Sequence, residues 1–181
     1  MSMSYRYVAF LRGINVGGHH KVPMADLRKH LQALGFENII TILNSGNIIF
    51  SSDSDNTDEL EHATSEFLKQ TFGFPIPTMI RKADDIQQLF NSSPFEQIEI
   101  TKDIRLYISL LKADVDHDLS IPWVSSDHSF RILEERERLI ISVLDLSVSK
   151  TTKAMEMLEK TFGKSTTTRN WKTIERIVNK L

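Results

Sequence analysis

The sequence predicts an α+β fold whose N-terminal part runs in the order βαββαβ. Three observations predict it. An apolar run, Tyr7-Val8-Ala9-Phe10-Leu11, precedes a helical stripe. Two β-rich runs flank Asn44-Ser45-Gly46-Asn47, a hairpin-turn signal. A second helical stripe then leads into a proline-flanked strand. This order is the split-βαβ, ferredoxin-like arrangement. It brings the loop after the first strand and the turn between the second and third strands to one end of the sheet.

Residues 5–11 read as the first strand. Met24, Leu27, Leu31 and Leu34 lie at spacings of 3, 4 and 3, one face of a helix. Pro23 suits its first position and Gly35 its C-cap. Asn56 with Glu59 forms a capping box in an acidic first turn. Leu60, Ala63, Phe67 and Leu68 give that helix its apolar face, and Gly73 ends it. Residues 75–81 read as an edge strand. Ile86, Leu89 and Phe90 mark a short helix before Asn91-Ser92-Ser93-Pro94.

Beyond it, Ile104, Leu106, Ile108 and Leu110 alternate as a strand. Residues 128–133 and 138–144 form a hairpin around Glu134-Glu135-Arg136-Glu137. Ala154, Met157, Leu158 and Thr161 line a helix closed by Gly163. Trp171, Ile174, Val178 and Leu181 line the last helix, N-capped by Thr167 or Thr168. The expected organisation is a ferredoxin-like unit over 1–90 and a second antiparallel αβ unit over 91–181, ending in two helices. The boundary falls within 91–103, and a single shared core is the alternative.

At 181 residues, 40% hydrophobic and 25% charged, the chain has ordinary globular composition. The net charge of −2 hides an uneven distribution. Residues 1–50 carry five Lys or Arg against two carboxylates, and 150–181 carry eight against three. Residues 51–100 carry three against ten. The ends are basic and the middle is acidic. The absence of cysteine excludes disulfides, thiolate metal sites and cysteine nucleophiles, and suits a reducing compartment. The N-terminal apolar stretch breaks at Arg12, unlike a signal peptide. No apolar run approaches the roughly 20 residues of a membrane span. A cytoplasmic protein with no membrane partner is expected.

The candidate site is Leu11 to Pro23, LRGINVGGHHKVP. Gly13, Gly17 and Gly18 allow positive φ and close backbone approach. Arg12, Asn15, His19, His20 and Lys21 supply donors. The helix that follows points its free N–H groups into the same space. Asn44, Ser45, Gly46 and Asn47 belong to the neighbouring turn. Thr168, Arg169, Asn170 and Trp171 open the last helix in a basic segment, a second anion seat that would close the site if that helix packs nearby. These residues point to a small anionic, phosphate-bearing ligand. Gly17 and Gly18 would cradle it, Arg12 would bind as a bidentate fork, Lys21 would add charge, and Asn15, Asn44, Ser45 and Asn47 would orient neutral polar groups. A purely structural loop is the competing reading.

Two further classes stay open: a nucleic-acid module using the basic ends, and an interaction protein self-associating along the edge strand near Pro75. The loop glycines do not fit GxGxxG. Gly163-Lys164-Ser165-Thr166 is no P-loop, because Leu158 replaces the first glycine and a helix precedes it. Asp114-x-Asp116-x-Asp118 lacks the calcium-loop glycine at Leu119 and glutamate at Ser125, and reads as a solvated turn. His19 and His20 are adjacent, unlike i, i+4 metal ligands. No GxSxG elbow and no base with a paired acid appears, so no reaction and no cofactor is assigned. Tyr5, Tyr7, Phe10 and Phe50 lie on strands one and three, but SGNIIF lacks the basic start of the RNA signature. Phe10 and Phe50 read as core.

LRGINVGG followed by KVPM, then SGN, then TTRNW resembles the bacterial family called domain of unknown function 1697. The resemblance runs from Tyr7 to the last helix. It implies an α+β fold containing a ferredoxin-like unit and no particular activity. It gives no support to a metal role for His19 and His20.

Overall fold

Two antiparallel sheets carry the fold, in a computed structural model that describes residues 3–181. The chain divides into two units, Met1–Asn91 with Glu175–Leu181, and Ser92–Ile174.

The first unit contains β1 (Tyr5–Leu11), α1 (Met24–Ala33), β2 (Glu37–Ile42), β3 (Asn47–Ser52), α2 (Thr57–Phe72), β4 (Thr78–Lys82) and α3 (Ala83–Asn91). Its sheet has the order β2-β3-β1-β4. That is the ferredoxin-like order. Tyr7, Ala9 and Leu11 of β1 share a core with Phe50, Ile80, the α1 residues Leu27 and Leu31, and the α2 residues Leu60 and Leu68. Burial of these side chains is the main force holding the helices to the sheet.

Local chemistry sets the element ends. Pro23 is the N-cap of α1, with extended ψ of 133°, rather than its first helical residue. At the other end Phe36 N donates to Leu31 O and Gly35 N to Gln32 O, a Schellman closure with Gly35 at φ +94°. The turn after β2 falls one residue earlier than the sequence predicts, over 43–46. Leu43 and Gly46 both take positive φ, and Asn47 already pairs with Phe10 and Ile42 in the sheet.

Asn56 Oδ1 accepts from Glu59 N at 3.2 Å, and Gly73 ends α2 in the left-handed region. Ser54 Oγ, not the Glu59 side chain, takes the Asn56 N–H. The buried positions of α2 are Leu60, Glu61, Thr64 and Leu68, while Ala63 is exposed. The helix is turned because Glu61 and Ser65 serve β4: Glu61 Oε1 accepts from Ile80 N at 2.8 Å, and Ser65 Oγ from Thr78 N at 3.2 Å. Glu61 Oε1 also accepts from Arg81 Nη1 at 2.9 Å, a buried ion pair. β4 lies at the edge of the sheet, as expected. The strand begins at Thr78, and α2 side chains already hold N–H groups that a second chain would need.

The second unit contains β5 (Ile104–Leu110), β6 (Trp123–Val124), β7 (Phe130–Arg136), β8 (Leu139–Asp145), α4 (Thr151–Phe162), β9 (Thr167–Asn170) and the start of α5 (Trp171–Val178). The sheet order is β6-β7-β8-β5-β9. Tyr107, Phe130, Ile132, Ile140 and Leu144 pack on Ala154, Leu158 and Phe162 of α4. The β7–β8 turn is Glu137-Arg138, both at positive φ, the two-residue geometry that matches strand twist. Glu134 to Arg136, expected in the turn, are strand residues.

Thr167 and Thr168 do not cap the last helix, because they are in β9, paired with Leu110 and Ser109 of β5. Asn170 immediately precedes α5, and its Oδ1 accepts from Thr173 Oγ1 at 3.2 Å. The buried positions of α5 are Thr173, Ile174 and Ile177. Trp171 and Val178 are half-buried and Leu181 is exposed.

Candidate functional site

The polar loop between β1 and α1 is a built structure. His19 N donates to Val16 O at 3.0 Å and Asn15 N to His20 O at 3.1 Å, closing a miniature hairpin. Its two tip residues, Gly17 at φ +59° and Gly18 at φ +79°, are both left-handed, so the turn itself demands glycine. Asn15 clamps the base. Its Nδ2 donates to Val22 O at 2.9 Å and Asn44 O at 2.7 Å, and its Oδ1 accepts from Val22 N at 2.8 Å. Ile14 and Val22 beside it are buried in the core. The His20 ring stacks on Phe74 with centroids 4.2 Å apart, while Nδ1 bonds Gly13 O at 3.2 Å.

The β2–β3 turn lies against this loop. Leu11 N donates to Gly46 O at 2.8 Å. A Cβ on Gly46 would stand 2.7 Å from Leu11 Cβ and 2.9 Å from Ile14 Cδ1. Asn47 is fully buried, with Nδ2 donating to Ile42 O at 2.9 Å and Ser45 Oγ at 3.0 Å. The amides of Asn15 and Asn47, expected to orient a ligand, are thus engaged inside the fold. Gly46 is required by packing.

Facing solvent are Gly13, Val16, Gly17, Gly18, His19, His20 and Lys21, with Asn44 and Ser45 on the neighbouring turn. Arg12 is half-buried, and its backbone N donates to Pro77 O at 2.9 Å. Neither residues 12–23 nor 43–47 contain a carboxylate. Pro23 gives α1 no side-chain cap, and the first-turn N–H groups have no acceptor within the helix. Asp26 is the acidic residue of that turn.

The downstream candidates belong to the second unit. Thr168 Oγ1 is hydrogen-bonded to Ser109 Oγ at 2.7 Å. Arg169 pairs with Ile108 across the sheet, and its Nη1 donates to Thr168 O. Trp171 sets its ring edge-on to Phe95 at 5.2 Å. Thr168 to Asn170 therefore do not form a helical first turn. No local pattern signals the Phe74 support of His20, because the two rings are remote in the chain. Among the described residues, no group of three or more His, Asp or Glu side chains could hold a metal ion. No helix among them is long and apolar enough to cross a membrane.

No curated protein matches the chain. The solved structure of conserved bacterial protein SP0830 from Streptococcus pneumoniae is similar, with 24% identity, a TM-score of 0.69 and 98% of each chain covered. That likeness bears on fold. A family described as protein of unknown function (DUF1697) matches residues 4–137, and the chain belongs to that family.

Proposed function

We propose that the protein binds a small anionic, phosphate-bearing ligand at the loop between β1 and α1. One observation carries the reading. A pre-formed, carboxylate-free loop with exposed Lys21 and His19 runs directly into a helix whose N-terminus has no side-chain cap. Exposed N–H groups and cations on a rigid frame lower the entropic cost of holding an anion. Gly17 and Gly18 would offer backbone N–H groups, Lys21 and Arg12 charge, and Asn44 and Ser45 neutral donors. Asn15, Gly46 and Asn47 support the frame.

Base stacking on the sheet is disfavoured as a route to nucleic acid. Sheet-borne RNA modules stack bases on exposed aromatics. Here Tyr7, Phe10 and Phe50 are fully buried.

The test is a thermal-shift series with inorganic phosphate, pyrophosphate, mononucleotides and short RNA and DNA, at low and moderate salt. A one-site ligand at a hundredfold excess over Kd stabilises by about 2.7 kcal/mol. Stabilisation by a phosphate compound, lost in Lys21→Glu, is the expected result. Stabilisation by oligonucleotides alone, falling steeply with salt, would replace this reading.

A further inference from the structure

We propose that the second unit carries a separate binding site for a zwitterionic ligand of short-peptide size, in the groove between α4 and the 114–120 segment. The groove is open to solvent and offers about 640 Å³. That is within the ~300–1,000 Å³ usual for small-molecule sites. Asp116 and Asp118 stand on the loop side, and Lys153, Glu156 and Lys160 on the helix side. The three helix residues recur at spacings of three and four, one face of α4. Leu119 and Met157 line the groove and pack on the core of the unit, giving it an apolar element.

Two observations point to a ligand. First, the charges are largely uncommitted. Lys153 Nζ is paired with Asp127 Oδ2 at 3.1 Å. Among the described residues, the side chains of Asp116, Asp118, Glu156 and Lys160 enter no ion pair or hydrogen bond. Opposite charges therefore line one groove without neutralising each other. Second, the loop wall is held in place. His117 Nδ1 accepts from Leu119 N at 3.2 Å, so Nε2 carries the proton of the neutral ring and donates to Glu135 Oε2 at 2.9 Å. The ring also sets its edge against Phe162 of α4, with centroids 4.9 Å apart. His117 thus pins the segment to β7 and α4 and preserves the groove without using the unpaired carboxylates.

A ligand with an ammonium or guanidinium at one end and a carboxylate at the other satisfies both walls. Its cation would lie by Asp116 and Asp118, its anion by Lys160, and its aliphatic middle on Leu119 and Met157. A purely anionic ligand would meet three carboxylates, and a purely cationic one would leave Lys160 unpaired.

The experiment is a ¹H–¹⁵N correlation titration of the full chain with three capped tripeptides, Lys-Ala-Glu, Lys-Ala-Lys and Glu-Ala-Glu. The expected result is saturable shifts at residues 116–119 and 153–161 with Lys-Ala-Glu, weakened about tenfold in either Lys160→Glu or Asp118→Lys. The double reversal, with both substitutions, restores binding because the peptide can lie in the opposite sense. Lys160→Gln and Asp118→Asn repeat the test should a reversal disturb folding. Absence of saturable shifts overturns the proposal. So does equal response to Lys-Ala-Lys, or binding of Lys-Ala-Glu that neither substitution weakens.

Discussion

Asn15 Nδ2 donates to the Asn44 carbonyl at 2.7 Å and thereby ties the loop after β1 to the turn after β2. The same side chain makes two bonds to Val22. One residue thus fixes the entry to α1 and the distance between the two polar loops. Asn15 itself sits at φ +56°, a region that asparagine tolerates better than most residues.

Asn15→Ala removes three hydrogen bonds and keeps a non-glycine residue at positive φ. A loss of about 2–4 kcal/mol is expected from unpaired groups and backbone strain together. Asn15→Asp keeps the acceptor for Val22 N and loses both donations, so it falls between alanine and the native residue. Denaturant midpoints at constant m-value check the order.

Gly46→Ala and Gly18→Ala separate packing from conformation. Both glycines have positive φ, at +83° and +79°. An added Cβ at Gly46 collides with Leu11 and Ile14, whereas nothing lies within 4 Å at Gly18. Gly18→Ala is expected to cost about 1 kcal/mol from the left-handed conformation alone. Gly46→Ala adds about 1–3 kcal/mol of overpacking. Equal losses in chemical denaturation would refute the assignment of Gly46 to close packing.

The buried Glu61–Arg81 pair makes α2 and the edge strand one cooperative piece. Glu61→Ala leaves Arg81 buried beside an empty space and frees Ile80 N–H, and a loss of about 3–5 kcal/mol is expected. Hydrogen exchange should show the Ile80 amide losing protection first.

Much of this was legible in the sequence. The βαββαβ order, the Gly73 stop and the Asn56 cap follow from local periodicity and capping chemistry. The contact between the two polar loops follows from topology. What local patterns could not show was where side chains are spent. Asn15 and Asn47 look like ligand groups in a polar loop, but they close hydrogen bonds to partners that only the fold supplies. Thr167 to Asn170 look like a helix start, yet pairing with β5 overrides that preference. Glu61 breaks the apolar face of α2 because a strand edge needs its oxygens.

Acid sensitivity should trace in part to Asp127. Hydrogen bonds from Ser129 and Ser125, with Lys153 beside them, hold this carboxyl well below the usual carboxylate range. The lowered folded value means its contribution is complete above the unfolded pKa of about 3.9 and is lost as pH falls through the folded value. The Tm difference between the native protein and Asp127→Ala is expected to be constant near neutrality and to shrink below about pH 4. A difference that grows on acidification would contradict the sign.

The most direct measurement is a ¹H–¹⁵N titration of the full chain with pyrophosphate, repeated with Lys21→Glu. Binding at the loop predicts saturable shifts at Gly17, Gly18, Lys21 and the first turn of α1, with affinity falling at least about tenfold in the variant. Unchanged spectra at millimolar pyrophosphate, or shifts elsewhere that Lys21→Glu leaves intact, would contradict it and leave the loop as architecture.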